Sequence, residues 1–294
     1  MKILLLKLYK KIVKCFTGFD LIKFYPIRYI NALVNKILLP KFVMFDGHKI
    51  FIDNQDSLNL TTGLDYKPLE TSILRKMIRS GDTVIDIGAN IGDDTLNMAR
   101  LVGNEGHVYA FEPEPKNFML LKKNINANKY ENISAEKLAI SDQNRNKKLY
   151  MSENNMADHR LYDSNDHRSF IEVKTIKLDS YFKNKNINID FIKIDIQGSE
   201  MKAFLGMSDL LKTSKYPNIL TEFWPFGLNS CGSGPKAFLS YLHNIGYRFL
   251  YIDEKRKLTY KVDYKYLSKY FTVKNKKFAN LLCIQERGLS NYID

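Results

Sequence analysis

The chain has 294 residues, 45% hydrophobic and 13% aromatic, which is enough apolar material for a large core and too much for a disordered segment. Its formal charge of +13 sits at the ends: residues 1–50 carry ten Lys/Arg against two Asp/Glu, residues 253–294 carry ten against five, and the stretch between is balanced. An enzyme acting on nucleic acid concentrates positive charge around its site, so a neutral middle argues against a polyanionic partner.

At the start, Lys7, Lys10, Lys11 and Lys14 recur at helical spacing, with Leu5, Leu8, Tyr9, Ile12 and Phe16 on the opposite face. A basic amphipathic helix of this kind can lie on an anionic membrane, so residues 1–18 are a candidate peripheral membrane contact. The same pattern also serves a helix that packs its apolar face on a core. The first apolar run is too short for a signal peptide, and no stretch is long enough to span a bilayer. Cys15, Cys231 and Cys283 are widely spaced and form neither a disulfide framework nor a zinc pattern. Together these predict a cytoplasmic protein, with a basic extension over residues 1–58 and a catalytic domain over residues 59–294.

The middle alternates β-rich runs with helical patterns. Thr83–Ile87 reads as a strand, Asp93–Val102 as a helix ended by Gly103, and His107–Phe111 as a second strand followed by a helix to Ala127. Ile133–Ile140 reads as a third strand, and Lys147–Met151 with Ile171–Thr175 as the arms of a hairpin. Ile189–Ile194, Ile219–Phe223, Tyr247–Tyr251 and Leu281–Ile284 complete the strands. The alternation predicts an α/β fold with a mostly parallel sheet covered on both faces. Ligands of such sheets bind beyond the carboxyl ends of the strands, where strand order reverses.

The first strand runs into Asp86-Ile87-Gly88-Ala89-Asn90-Ile91-Gly92. Gly88 permits a tight turn and close approach of a ligand, and Gly92 opens a helix whose free N–H groups favour an electronegative group. The turn lacks the third glycine of the dinucleotide fingerprint, which opposes a dehydrogenase. Asp86 suits a cationic amino group, and Glu112, 20 residues after Gly92, can accept both hydroxyls of a ribose. An adenosine that carries an amino acid satisfies all of these.

Three segments in order, Asp82–Gly92, Ala110-Phe111-Glu112-Pro113 and Phe191-Ile192-Lys193-Ile194-Asp195-Ile196-Gln197-Gly198-Ser199-Glu200, resemble the FkbM family of S-adenosylmethionine (SAM) dependent methyltransferases. The resemblance implies a Rossmann-like class I methyltransferase fold with a seven-stranded sheet, SAM as cofactor, and methyl transfer to hydroxyls of sugars or related natural products. It implies that Asp86, Gly88, Ala89, Asn90 and Gly92 hold the amino-acid part of SAM and that Glu112 holds the ribose. Ser141 and Asp142 would then lie by the adenine, and Tyr66 and Glu70 would close over the cofactor. Gln197 departs from the family, whose members often have Glu there.

For the acceptor, a positioned base is useful because a sugar hydroxyl is a weak acid. Asp195, at the end of the fourth parallel strand, and His159, within a polar loop, are the catalytic candidates. Asp158, Arg160, Glu222 and Trp224 are expected to bind hydroxyls or stack on a sugar face. Two scattered acids, Asp195 and Glu222, do not predict a metal. A nucleic-acid methyltransferase would usually show Asn/Asp-Pro-Pro-aromatic where this chain has Asp195-Ile196-Gln197-Gly198. A non-catalytic SAM-fold interaction subunit is the other alternative, opposed by the intact cofactor turn.

Overall fold

The computed structural model describes residues 37–63, 67–153, 155–185, 187–213 and 216–285, together with Leu5, Leu6, Leu8, Tyr9 and Val34. Leu5, Leu6, Leu8 and Tyr9 are helical; Tyr66 and the lysines of the basic face lie outside the described residues. Among those described, no helix is long and apolar enough to cross a membrane.

The strands in chain order are β1 (Phe42–Phe45), β2 (His48–Phe51), β3 (Thr83–Ile87), β4 (His107–Phe111), β5 (Ile133–Glu136), β6 (Ala139–Ile140), β7 (Arg145–Tyr150), β8 (Phe170–Ile176), β9 (Phe191–Ile194), β10 (Asn218–Phe223), β11 (Tyr247–Asp253), β12 (Leu258–Val262) and β13 (Ala279–Gln285). The helices that position the site are α1 (Pro68–Met77), α2 (Asp93–Val102) and α3 (Pro115–Ala127).

The main sheet has the order β12-β11-β13-β10-β9-β3-β4-β5, eight strands where seven are expected. The extra strand is β12, whose mixed, largely exposed sequence Leu258-Thr259-Tyr260-Lys261-Val262 hides it from an apolar-run reading. β10, β9, β3, β4 and β5 pair in parallel; β13 is antiparallel to both β10 and β11, so β11 runs with the parallel strands, and β12 is antiparallel to β11. This is the Rossmann-like class I methyltransferase architecture, with chain order reversing between β3 and β9. The expected third strand is divided: β5 ends the main sheet, and β6 leaves it to join β7 and β8.

Alternation along the buried strands sorts the two faces. Ile85, Ile87, Ile192 and Ile194 belong to one apolar core, while Val84, Phe191 and Leu220 join α1 and α2 in the other. Each fully buried aliphatic or aromatic side chain contributes about 1.5–3 kcal/mol. The α1–α2 face is also the one on which Asp86, Lys193 and Glu222 follow at the carboxyl ends. The hairpin β1–β2, expected in a separate extension, packs into the domain: Val43 and Ile50 share a core with Leu121 and Ile125 of α3. Asn124 Oδ1 accepts the Phe51 N–H at 2.7 Å and Asn128 Oδ1 the Lys49 N–H at 2.9 Å. A boundary at residue 58 therefore cuts through the body of the domain.

Candidate active site

β3 runs into a turn in which Gly88 has φ +86° and Gly92 φ +94°. A Cβ on Gly88 would lie 2.1 Å from the carbonyl oxygen of Asp195. Glycine is required there because the end of β9 occupies the side chain's space, as well as for its left-handed φ. This corrects the reading that the gap serves the ligand. At Gly92 a Cβ would meet Leu121 of α3, so that glycine seats the helix on the turn.

A cleft of about 520 Å³ opens at the point where strand order reverses, lined by Gly88, Ala89, Asn90, Asp195, Gln197, Glu222 and Trp224 among others. A smaller pocket continues from it between β4 and the β6–β8 sheet, lined by Glu112, Asn117, Ile140 and His159. Gly88, Asn90, Ala157, Asp195 and Gln197 line both cavities, so they form the junction between them.

Asp86 does not line either cavity. It is the direct cross-strand neighbour of Lys193, is fully buried, and accepts from Thr95 Oγ1 at 2.6 Å. Burial pushes its carboxyl up to about 6, against the opposing charge of Lys193. Lys193 Nζ lies 3.9 Å from Asp86 and 3.2 Å from Asp94, and the neighbouring acids outweigh burial to hold its ammonium charged. Of this cluster, Lys193, Asp93 and Asp94 reach the cleft, with Asp86 as the counter-charge behind them. A lysine in the apolar run of β9, aligned with an aspartate of β3, is the signal that could have revealed the pair.

Glu112 lies at the end of β4, nearly buried. One carboxylate oxygen accepts the Asn90 N–H at 2.9 Å and the other the Glu114 N–H at 2.8 Å. Burial pushes it up to about 7, although both N–H groups oppose the shift. Each oxygen keeps a lone pair, the requirement for a bidentate grip on two vicinal hydroxyls.

Asp195 and Glu222 sit on neighbouring strand ends and line the same cleft. Burial raises the Asp195 carboxyl, but Lys193, Lys67 and a 2.9 Å hydrogen bond from Gln197 Nε2 outweigh it and leave the group below its ordinary range. Burial and the charge of Asp195 instead drive Glu222 well upward. Glu70, at the start of α1, is buried and accepts from Asn280 Nδ2 at 2.6 Å, with Lys67 3.7 Å away. Burial raises its carboxyl too.

The other expected residues fall elsewhere. His159 lines the small pocket and not the cleft. Ser141 and Asp142 line neither cavity: Lys147 Nζ donates to Ser141 Oγ at 2.7 Å and to Asp142 at 3.1 Å, and Leu138–Ile140 face the pocket in their place. Asp158 lines the cleft, with its carboxylate held by Arg160 at 2.8 and 2.9 Å and by Arg168 at 2.7 Å. Trp224 carries the Arg160 guanidinium 4.9 Å from its ring centre and donates Nε1–H to the Lys276 carbonyl. The face expected to stack on a sugar is thus occupied by Arg160.

The sequence profile of the Methyltransferase FkbM domain matches residues 86–249, more than half of the chain. The chain belongs to the FkbM methyltransferase family. Curated relatives match over shorter stretches. The probable cobalt-precorrin-6B C(15)-methyltransferase (decarboxylating) of Saccharolobus solfataricus is 40% identical over 60 residues, 20% of this chain and 29% of the relative. The protein-L-isoaspartate O-methyltransferase of Methanothrix thermoacetophila is 35% identical over 57 residues, 19% of this chain and 27% of the relative. The chain thus spans less than a third of either relative's length. Among solved structures, the methyltransferase FkbM of Methylobacillus flagellatus KT is 13% identical, covering 78% of this chain and 53% of that one at a TM-score of 0.39. A putative methyltransferase of Streptococcus mutans in complex with S-adenosylhomocysteine (SAH) is 11% identical, covering 74% of this chain and 96% of that one at a TM-score of 0.44.

SAM is the cofactor of the FkbM methyltransferase family, and the residues of this site fit that molecule. Glu112 would grip the ribose, and Asp93, Asp94 and Lys193 would meet the ammonium and carboxylate of the methionyl end. The junction at Gly88, Asn90 and Asp195 would surround the sulfonium.

Proposed function

We propose that the chain methylates a hydroxyl oxygen of an uncharged polyhydroxyl acceptor, such as a sugar residue of a glycan or a related natural product. The observation that carries this reading is the pair Asp195 and Glu222, two carboxylates of one cleft whose proton affinities are driven apart. SAM supplies an activated methyl group with a neutral thioether as leaving group.

The residues then have to align an oxygen and remove its proton. Asp195, ionised and beside the junction, accepts a hydrogen bond from the attacking hydroxyl and directs its lone pair toward the methyl. The oxygen becomes strongly acidic as the methyl arrives, so a carboxylate of even reduced proton affinity can take the proton. Glu222, neutral, donates to a neighbouring hydroxyl and so selects acceptors that have one. Arg160, locked by Asp158, offers further donors at the cleft wall.

Charge supports an uncharged acceptor. The cleft lining sets Asp94, Asp158 and Asp195, with Glu70, Asp93 and Glu222 raised by burial, against Lys67, Arg160, Lys193 and Lys276, so it has no marked positive excess with which to hold a phosphate backbone. Incubation with radiolabelled SAM and a panel of free sugars, glycans and RNA tests the reading. The expected product is a sugar carrying one methyl ether, located by mass spectrometry. Label that enters RNA or a nitrogen atom, with none on any hydroxyl compound, rejects it.

A further inference from the structure

The small pocket behind the cleft holds two buried polar atoms with no hydrogen-bond partner among the described residues, Asn117 Oδ1 and His159 Nε2. Buried polar groups are ordinarily paired, so two such atoms in one pocket call for a ligand. Their characters are set by their opposite ends. Asn117 Nδ2 donates to the Met156 carbonyl at 2.9 Å, which identifies the other atom of the amide as oxygen, an acceptor. His159 Nδ1 accepts the Ser152 N–H at 3.0 Å, so that nitrogen carries no proton and the neutral ring carries its proton on Nε2. Burial holds the imidazole below its ordinary range and so keeps it neutral. The pocket therefore presents one acceptor and one donor.

The rest of the pocket is suited to a flat heterocycle. Leu138, Ile140, Leu149 and Leu161 give it apolar walls, and Glu112, which would hold the ribose, stands at its entrance from the junction. Asn117 is 1% exposed and is held at the start of α3 by the Glu114 carboxylate, which accepts the Asn117 N–H at 2.6 Å.

We infer that Asn117 and His159 read the amino edge of the cofactor's adenine, Asn117 Oδ1 accepting from the N6 amino group and His159 Nε2–H donating to the adjacent ring nitrogen. On either edge of adenine that carries N6, a donor lies beside an acceptor, complementary to this pair. Hypoxanthine replaces N6 with an oxygen, which would face Asn117 Oδ1 acceptor to acceptor. His159 is then a cofactor-specificity residue and no base for the acceptor. The inference rests on SAM as cofactor.

The test is calorimetry on the full chain with two probes, SAH and S-inosylhomocysteine. The wild type is expected to bind the inosyl compound at least 100-fold more weakly. His159→Phe and Asn117→Leu should each weaken SAH at least tenfold and shrink that ratio to below ten. In steady state His159→Phe should raise KM for SAM far more than it lowers kcat. Equal binding of the two probes by the wild type overturns this proposal alone, and no binding of SAH overturns the cofactor assignment with it. Variants that melt like the wild type and keep both the SAH affinity and the ratio also overturn it. Should both variants fail to fold, 1-deaza and 7-deaza SAH decide on the wild type. Loss of affinity with one supports the donor role of His159, and loss with neither refutes it.

Discussion

Glu112→Gln separates the cost of the ribose carboxylate from its use. The native carboxyl is raised from 4.5 to about 7, chiefly by burial. Because the folded value lies above the unfolded one, the group's stability contribution is fully present below pH 4.5 and is lost as pH rises through about 7. At about pH 8 the penalty in the cofactor-free protein is roughly 3 kcal/mol, from about 1.36 kcal/mol per unit. Glutamine does not titrate, but its amide nitrogen must face the N–H of Asn90 or of Glu114, a fixed cost of roughly 1–3 kcal/mol. The variant is therefore expected to be less stable than the wild type at about pH 5 and equal or more stable at about pH 8, since roughly 2.5 kcal/mol of the wild-type penalty develops between them. At about 2–4 °C per kcal/mol, the Tm difference should move by roughly 5–10 °C in the variant's favour across that range. Calorimetric melting of both proteins without cofactor measures this. Binding should run the other way, with SAH affinity falling about 100-fold as two charge-assisted acceptors become one neutral one. Tm-against-pH curves that stay parallel would refute the buried-charge reasoning, and an unchanged SAH affinity would refute the ribose assignment.

Gly88→Ala drives a methyl into the Asp195 carbonyl and strains a left-handed backbone, so it should cost about 2–4 kcal/mol by denaturant titration and lower kcat as the end of β9 shifts. Lys193→Met strips Asp86 and Asp94 of their buried counter-charge, and a loss of about 3–5 kcal/mol is expected at neutral pH. Adding Asp86→Asn should recover part of that loss, and additive effects in the double mutant would show that the two side chains do not interact. Asp195→Asn should keep SAH affinity within a fewfold by calorimetry while turnover falls at least 100-fold; full turnover would remove its role as proton acceptor. Removal of residues 1–18 should lower cosedimentation with anionic vesicles, and unchanged sedimentation rejects a membrane role for the basic face.

What the sequence by itself determined is the framework. Thr83–Ile87, Asp93–Val102 and His107–Phe111 are found at the boundaries their periodicity predicts, because a buried parallel strand must be apolar on both faces and Gly103 ends its helix visibly. The two glycines and Glu112 were legible for the same reason, since residues at strand ends that serve a turn or a ligand break the apolar pattern. Only the tertiary structure decided which groups those ends confront. Strand register places Asp86 against Lys193, so an aspartate that seems aimed at the ligand stands behind the wall. The departure of β6 from the main sheet turns Leu138–Ile140 toward the small pocket and leaves Ser141 and Asp142 to Lys147. His159 and Asn117 lie 42 positions apart in loop and helix and share a pocket only after the connection between β7 and β8 folds against α3. Periodicity records the burial of each residue, a local property, whereas the partner it meets depends on crossings and register set by the packing of the whole sheet.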